Sequence, residues 1–246
     1  MSEIVTAGMV VIGDEILSGR TKDRNIGHLA DMMTAIGIDL KEVRIVADDQ
    51  PFIVEAVNAL RARNAYVFTT GGIGPTHDDI TADAVAAAFG LPCDYDPAAY
   101  RLLEEHYAKR GIEFSEARKR MARMPKGAMH IANPISVAPG FQIGNVYVMA
   151  GVPAIFQAML DSVIPTLKTG AKLISAAIPS PHPEGTIGGP LSEIQEAHPE
   201  TIIGSYPKYQ DGSFWTEIVV RSRSEEALKA AKAAIEEMLE DLLKRN

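Results

Sequence analysis

The chain has 246 residues, 46% hydrophobic and 23% charged, with a formal net charge of −8. That composition suits a globular protein built as one large domain, or one domain with a small appendage. The acidic balance excludes non-specific binding to nucleic acid or anionic membranes. No apolar stretch reaches membrane-spanning length, and residues 1–20 lack a basic start followed by an apolar secretory core. A cytoplasmic location is the expectation. The single cysteine, Cys93, excludes an internal disulfide, and with no catalytic partner near it in sequence it reads as structural.

Residues 4–12 form a nearly unbroken apolar run, as a strand buried on both faces requires. Ile26, Leu29, Met33 and Ile36 follow at helical spacing, and Gly37 is placed to end that helix. Residues 38–46 read as a second strand, Ile53, Val54, Val57 and Leu60 mark a helix, and residues 65–70 a third strand. This alternation predicts an α/β fold, a three-layer α/β/α domain with a mainly parallel sheet over residues 1–169. Right-handed crossovers then bring the carboxyl ends of the strands to one rim, where open α/β sheets bind ligands. Ala82–Phe89 continues as a helix, and residues 97–122 are helical with a break at Gly111. Residues 124–151, rich in Pro and Gly, end in the strand Val146–Met149, and Gly151-Val152-Pro153 opens another helix. Residues 170–246 read as a small α+β domain. In it, strand 171–178 leads through the proline-rich connection 178–185 to a helix at 186–197, strands at 200–206 and 213–222, and a last helix from Ser224.

The most informative segment is Thr69-Thr70-Gly71-Gly72-Ile73-Gly74-Pro75-Thr76-His77-Asp78-Asp79-Ile80-Thr81, between the third strand and its helix. Glycines without Cβ atoms let backbone N–H groups approach a bulky anion, and a helix start adds free N–H groups and a positive dipole end. Two adjacent acids, Asp78 and Asp79, beside an anion site suggest a shared divalent metal. An ordinary explanation stands next to this one: glycines make turns, and an acid in a first helical turn stabilises the helix without a ligand. The pattern is neither a P-loop nor a dinucleotide fingerprint. After the first strand, Gly13-Asp14-Glu15-Ile16-Leu17-Ser18-Gly19, then Thr21 and Asn25, leave the same rim. Their polar groups either face the glycine turn or satisfy their own loop.

Together with Val46-Ala47-Asp48-Asp49, Asn133-Pro134, Ala138-Pro139-Gly140-Phe141 and Gly151-Val152-Pro153, these segments resemble the MoaB/Mog molybdopterin-binding domain family. Within it the likeness is greatest to the amino-terminal part of the CinA family and to the molybdopterin-binding-like half of FAD synthase. Ile203-Gly204-Ser205-Tyr206-Pro207 resembles the small domain that follows this module in both. Nothing resembles the amidohydrolase domain of CinA or the sulphate-reductase-like domain of FAD synthase, so neither activity is assigned.

The resemblance implies that Asp48 and Asp79 are the critical acids. Mog-type enzymes carry Arg-Asp where this chain has Asp78-Asp79, and losing that cation favours a metal-bridged pyrophosphate over a bare pterin phosphate. The implied activity is CinA-like, metal-dependent hydrolysis of a nucleotide pyrophosphate such as ADP-ribose or FAD, with Asp48, Asp78 and Asp79 catalytic. Asp14, Asp48, Asp78 and Asp79 would ligate Mg²⁺ or a similar divalent ion. Gly13, Asp14, Glu15, Ser18, Asn25, Thr70, Gly71, Gly72, Gly74, Pro75, Thr76, Asn133 and Gly140 would contact phosphate or nucleotide, with Ser136 in the same irregular segment. Either Glu15 or His77 could be the base, while Arg44, Arg118 and Arg120 read as solvated faces. The alternatives are a non-catalytic module holding molybdopterin or a nucleotide, and a Mog-like adenylyltransferase of molybdenum cofactor biosynthesis. Expected partners are a small nucleotide or pterin ligand and further copies of the chain, with no nucleic acid and no membrane.

Overall fold

A computed structural model describes residues 4–210 and 212–245. The chain divides into two compact units, Met1–Gly170 and Ala171–Asn246.

The first unit runs β1 (Val5–Ile12), α1 (Asp14–Leu17), α2 (Asn25–Ala35), β2 (Ile38–Val46), α3 (Gln50–Arg61), β3 (Tyr66–Thr70) and α4 (Thr81–Phe89). It continues with β4 (Cys93–Tyr95), α5 (Pro97–Lys109), α6 (Glu116–Lys119), β5 (Arg123–Pro125), β6 (Met129–Ile131), β7 (Gly140–Ile143), β8 (Val146–Met149) and α7 (Pro153–Val163). Strand order in the main sheet is β2-β1-β3-β8-β7-β6. The pairs β2–β1, β1–β3 and β3–β8 are parallel, while β8–β7 and β7–β6 are antiparallel.

The apolar run of β1 is continuous because its two faces feed two cores. Ala7, Met9 and Val11 pack with Leu29 and Met33 of α2 and Phe156 and Met159 of α7. Val10 and Ile12 pack with Ile53, Val57 and Leu60 of α3, Val85 of α4 and Leu103 of α5. The sheet is therefore the middle of three layers, as expected for side chains that alternate along a strand buried on both faces.

The far edge of the sheet holds two strands that the sequence pattern did not show. The antiparallel strands β6 and β7 lie inside 124–151, where Pro and Gly hid them; their existence rests on the pairing of Met129 with Gln142 and Ile131 with Gly140. The charge-laced stretch 97–122 is helical on either side of a break at Gly111, as expected. Its first part, α5, ends at Lys109; the chain passes Gly111 at φ 64° and resumes as short α6 and a 3₁₀ turn, Arg120–Ala122. Cys93 sits half-buried in the small β4–β5 ladder; burial, then the Asp83 charge, pushes its thiol up to about 11, consistent with a structural thiol.

The second unit is a three-stranded antiparallel sheet of order β10-β11-β9, made by β9 (Ile174–Ser180), β10 (Thr201–Gln210) and β11 (Ser213–Ser222). Helices α8 (Glu184–Ala197) and α9 (Glu225–Arg245) bury Ile187, Leu191, Ala231 and Ile235 against Ile178, Ile218 and Val220. The strand expected at 171–178 starts later and continues through Pro179, which an edge strand tolerates because its outward N–H needs no partner. Among the described residues no helix is long and apolar enough to cross a membrane.

In the first unit, β1, β2, β3 and β8 run parallel, so the loops after Ile12, Val46, Thr70 and Met149 share one rim. After β1 the chain enters α2 in one core layer, and after β3 it enters α4 in the other. The crevice between β1 and β3 is thus a point where connections diverge, the usual ligand position in such sheets.

Candidate functional site

The glycine turn follows β3. Gly71 has φ 104°, and a Cβ there would stand 2.1 Å from the Ile12 carbonyl oxygen; Gly72 has φ 66°, and its Cβ would stand 2.1 Å from Thr81 Oγ1. Both positions require glycine. The turn is held by Gly71 N–H donating to Met149 O at 3.2 Å, Thr81 N–H to Gly72 O at 3.0 Å and Thr81 Oγ1–H to Gly71 O at 3.0 Å. The Gly71 amide is therefore spent on the fold rather than available to a phosphate. Among the described residues, the amides of Gly72, Ile73 and Gly74 make no hydrogen bond to the protein. Successive unpaired backbone N–H groups are the feature from which anion-binding concavities are built.

Asp78 and Asp79 do not start the helix, as the sequence suggested. α4 begins at Thr81, whose amide and hydroxyl are already tied to the glycine carbonyls, so both acids lie in the preceding turn. Asp79 Oδ2 accepts from Thr76 N–H at 2.8 Å and from Thr76 Oγ1–H at 2.6 Å. A Cβ at Gly74 would stand 2.7 Å from that carboxylate, so a larger residue there would have to displace Asp79 from its Thr76 bonds. The Thr76 hydroxyl, with the Asp78 amide, holds the exposed Asp78 carboxyl below the ordinary carboxylate range.

On the opposite wall, Asp48 Oδ2 accepts from Asp14 N–H at 2.9 Å, at the start of α1. Burial pushes the Asp48 carboxyl up; the Asp14 N–H bond opposes this, and the charges of Asp14, Glu15 and Asp78 add to it. Asp48, Glu15, Asp78, Asp79 and the Gly71–Gly74 turn line one cleft of about 560 Å³. Gly13, Pro75 and Asn133 also reach it, and Met121, Val152, Pro153 and Ile155 supply an apolar wall. No Lys, Arg or His lines this cleft among the described residues. Its four carboxylates therefore repel a bare polyanion.

Other expected contacts lie elsewhere. Asn25 is 3% exposed, with Nδ2 donating to Thr70 Oγ1 at 2.8 Å and Gly151 O at 2.9 Å, while Thr70 Oγ1–H donates to Ala150 O at 3.0 Å. These two residues staple the ends of β3 and β8 together beneath the cleft. Gly140 is in β7, where a Cβ would stand 2.3 Å from Val148 O; it serves packing and does not line the cleft. Ser18 is exposed beyond α1 and Asp14 enters through its amide; neither side chain lines the cleft. His77 is 98% exposed and also outside the lining, which leaves Glu15 as the base candidate within reach of a ligand.

Arg44 pairs with Glu42 and Glu55, and Arg118 lies over Tyr107, as expected for surface faces. Arg120 differs: its Nη2 donates to Asp79 O at 3.2 Å and braces the acidic loop. Met121 and Ile155 were missed because helical periodicity says only that a face is apolar, not that it borders a cleft. The four acids expected to share a metal are not a preassembled set. Among the described residues, no group of three or more His, Cys, Asp or Glu is gathered closely enough to hold an ion.

The family described as a probable molybdopterin binding domain matches residues 8–169, and the FAD synthase middle domain matches residues 172–245. A protein of Pyrobaculum arsenaticum is 32% identical over 250 residues, covering 97% of this chain and 94% of its own. One of Aeropyrum pernix is 31% identical over 251 residues, with the same shares of 97% and 94%. The crystal structure of a CinA protein from Thermoplasma acidophilum superposes with a TM-score of 0.61 at 28% identity, covering 66% of this chain and 98% of that one.

Proposed function

Because the chain belongs to the molybdopterin-binding domain family over residues 8–169, we propose that its cleft binds a nucleotide pyrophosphate together with a divalent cation and hydrolyses it. One observation carries this reading: among the described residues, four carboxylates and three residues with unpaired amides line the same cleft, and no basic side chain does. A phosphate bound at the amides of Gly72, Ile73 and Gly74 lies in a strongly negative field unless a cation accompanies it. Mg²⁺ commonly binds through one or two carboxylates plus substrate phosphates, so the residues fit an ion brought in on the ligand rather than a resident one. Asp48, with one oxygen committed to Asp14 N–H, is the carboxylate best placed to face it. Such an ion supplies charge neutralisation on the phosphates.

The protein's part is then positional. Glu15 takes a proton from the attacking water. The water oxygen bonds to one phosphorus, the bridging P–O bond breaks, and the bridging oxygen leaves with its electron pair on the second monophosphate. Met121 and Ile155 offer an apolar surface to a flat ring. The adenylyltransferase reading gains no observation of its own from this lining.

A second reading, a module that retains its ligand without turnover, is favoured by the lack of a preassembled metal cluster among the described residues. Incubation with ADP-ribose, FAD or ATP and Mg²⁺, Mn²⁺ or Co²⁺, with products identified by chromatography, separates the two. AMP plus the complementary monophosphate supports hydrolysis. Tight binding of intact dinucleotide supports the retaining module.

A further inference from the structure

We propose that Ser136 is the hydroxyl that donates a hydrogen bond to an acceptor atom of the bound ligand, and that Asn133 is the residue that fixes it as a donor. The inference rests on the pyrophosphate reading for the identity of the ligand, and on the loop between β6 and β7 for its geometry.

Asn133 borders the cleft but has nothing left to offer a ligand. It is 8% exposed, and its Oδ1 accepts from Ile135 N–H at 3.1 Å and Ser136 N–H at 3.0 Å. Its Nδ2 donates to Ser136 Oγ at 2.6 Å and to Ala138 O at 2.8 Å. A carboxamide has two donor hydrogens and two acceptor lone pairs, so its capacity is exhausted. The side chain is the hub around which the loop is wound.

Ser136 is left in the complementary state. Its oxygen receives the Asn133 N–H, and its own proton has no acceptor among the described residues. A hydroxyl that already accepts one hydrogen bond is polarised toward donating another. Ser136 lines the cleft, where the other lining side chain with an uncommitted donor is Thr21. Apart from Asn133, whose capacity is spent, the remaining polar side chains there are carboxylates, which accept only.

The loop's backbone agrees with an imposed shape. Val137 has φ 69°, the one positive value outside glycine among the described residues, in a region β-branched side chains rarely adopt. Its amide donates to Asn133 O at 3.1 Å, so the same residue that orients Ser136 also closes the turn behind it. The site therefore offers a hydroxyl proton to ligands that present an acceptor, such as a phosphoryl oxygen, at Ser136.

The test is calorimetric binding of ADP-ribose, FAD and inorganic pyrophosphate, each with Mg²⁺, to the full chain. Ser136→Ala should weaken binding of the ligand about tenfold while still unfolding cooperatively, its melting temperature lowered only by the loss of the one Asn133 N–H bond. Ser136→Thr, which keeps the hydroxyl, should stay within about threefold. Asn133→Asp presents only acceptors, so the Ser136 proton should turn toward it and away from the ligand. That variant should lose about as much as Ser136→Ala, and the double variant should lose no more than either. Equal affinity of Ser136→Ala and wild type overturns the inference and leaves the pyrophosphate reading standing. Wild type that binds none of the three ligands overturns the reading and the inference together. Should Asn133→Asp fail to fold, the Ser136→Ala and Ser136→Thr pair decides alone.

Discussion

The loop after β2 and the loop after β3 each bring an acid to the cleft, and they treat it in opposite ways. Asp79 is satisfied: its carboxylate accepts two hydrogen bonds from Thr76, and Arg120 braces its carbonyl. Asp48 is frustrated: a single N–H from Asp14 reaches it, while burial and three neighbouring carboxylates push its carboxyl up. The first arrangement describes a residue whose Oδ2 shapes its loop. The second describes a charge kept against local stability, the usual mark of a residue retained for its ligand.

Neutralising each acid should break or sharpen this contrast. The largest effect belongs to Asp48→Asn, which keeps an oxygen for Asp14 N–H but removes the charge. Affinity for Mg²⁺–ADP-ribose should fall about 10- to 100-fold, the scale for losing one fully engaged charge in a cleft. Thermal unfolding should move the other way, upward by about 1–2 °C, because a repelled charge has gone. The pH dependence has a definite sign. With the folded carboxyl raised above its unfolded value, the stabilisation belongs to the protonated form. It is complete below the unfolded carboxylate range and lost as pH rises through the raised Asp48 value. Melting curves of wild type and Asp48→Asn should therefore converge in acid and separate above that window; parallel curves would show that Asp48 is not frustrated.

Asp79→Ala should do the reverse. It strands the Thr76 amide and hydroxyl, so stability should drop by about 1–2 kcal/mol, or about 3–6 °C in the melting of the first unit. An unchanged melting temperature would remove Asp79 from the loop-shaping role. The smallest effect is expected at His77. Its side chain points into solvent outside the cleft lining, so His77→Ala should change binding and turnover by less than about twofold. A larger loss would restore it as a base.

The same contrast explains how much of the site could be read from residues alone. That glycines at 71, 72 and 74 form a turn beside acids was legible, because local chemistry demands it. Which amides stay free was not, since the Gly71 N–H is consumed by Met149 on another strand. Asn25, Thr70 and Asn133 looked like ligand contacts because they are polar and sit at strand ends. The fold turns the first two into a staple and the third into a loop hub. A polar side chain carries no local mark of whether its partner is a ligand or a distant backbone carbonyl.

By itself the sequence determined the strands at β1, β2 and β3, the helices between them and the second unit's mix of helix and sheet, because apolar periodicity is set by a few neighbouring residues and survives any tertiary context that buries one face. It also placed the acids and glycines on one rim, since parallel strands leave no other choice. Tertiary structure alone decided the antiparallel β6–β7 edge, the apolar wall of Met121 and Ile155, the bracing by Arg120 and the division of labour between Asp48 and Asp79. Each of those depends on which groups meet across long separations in the chain, and hydrogen-bond partners and electrostatic neighbours exist only once the chain has folded.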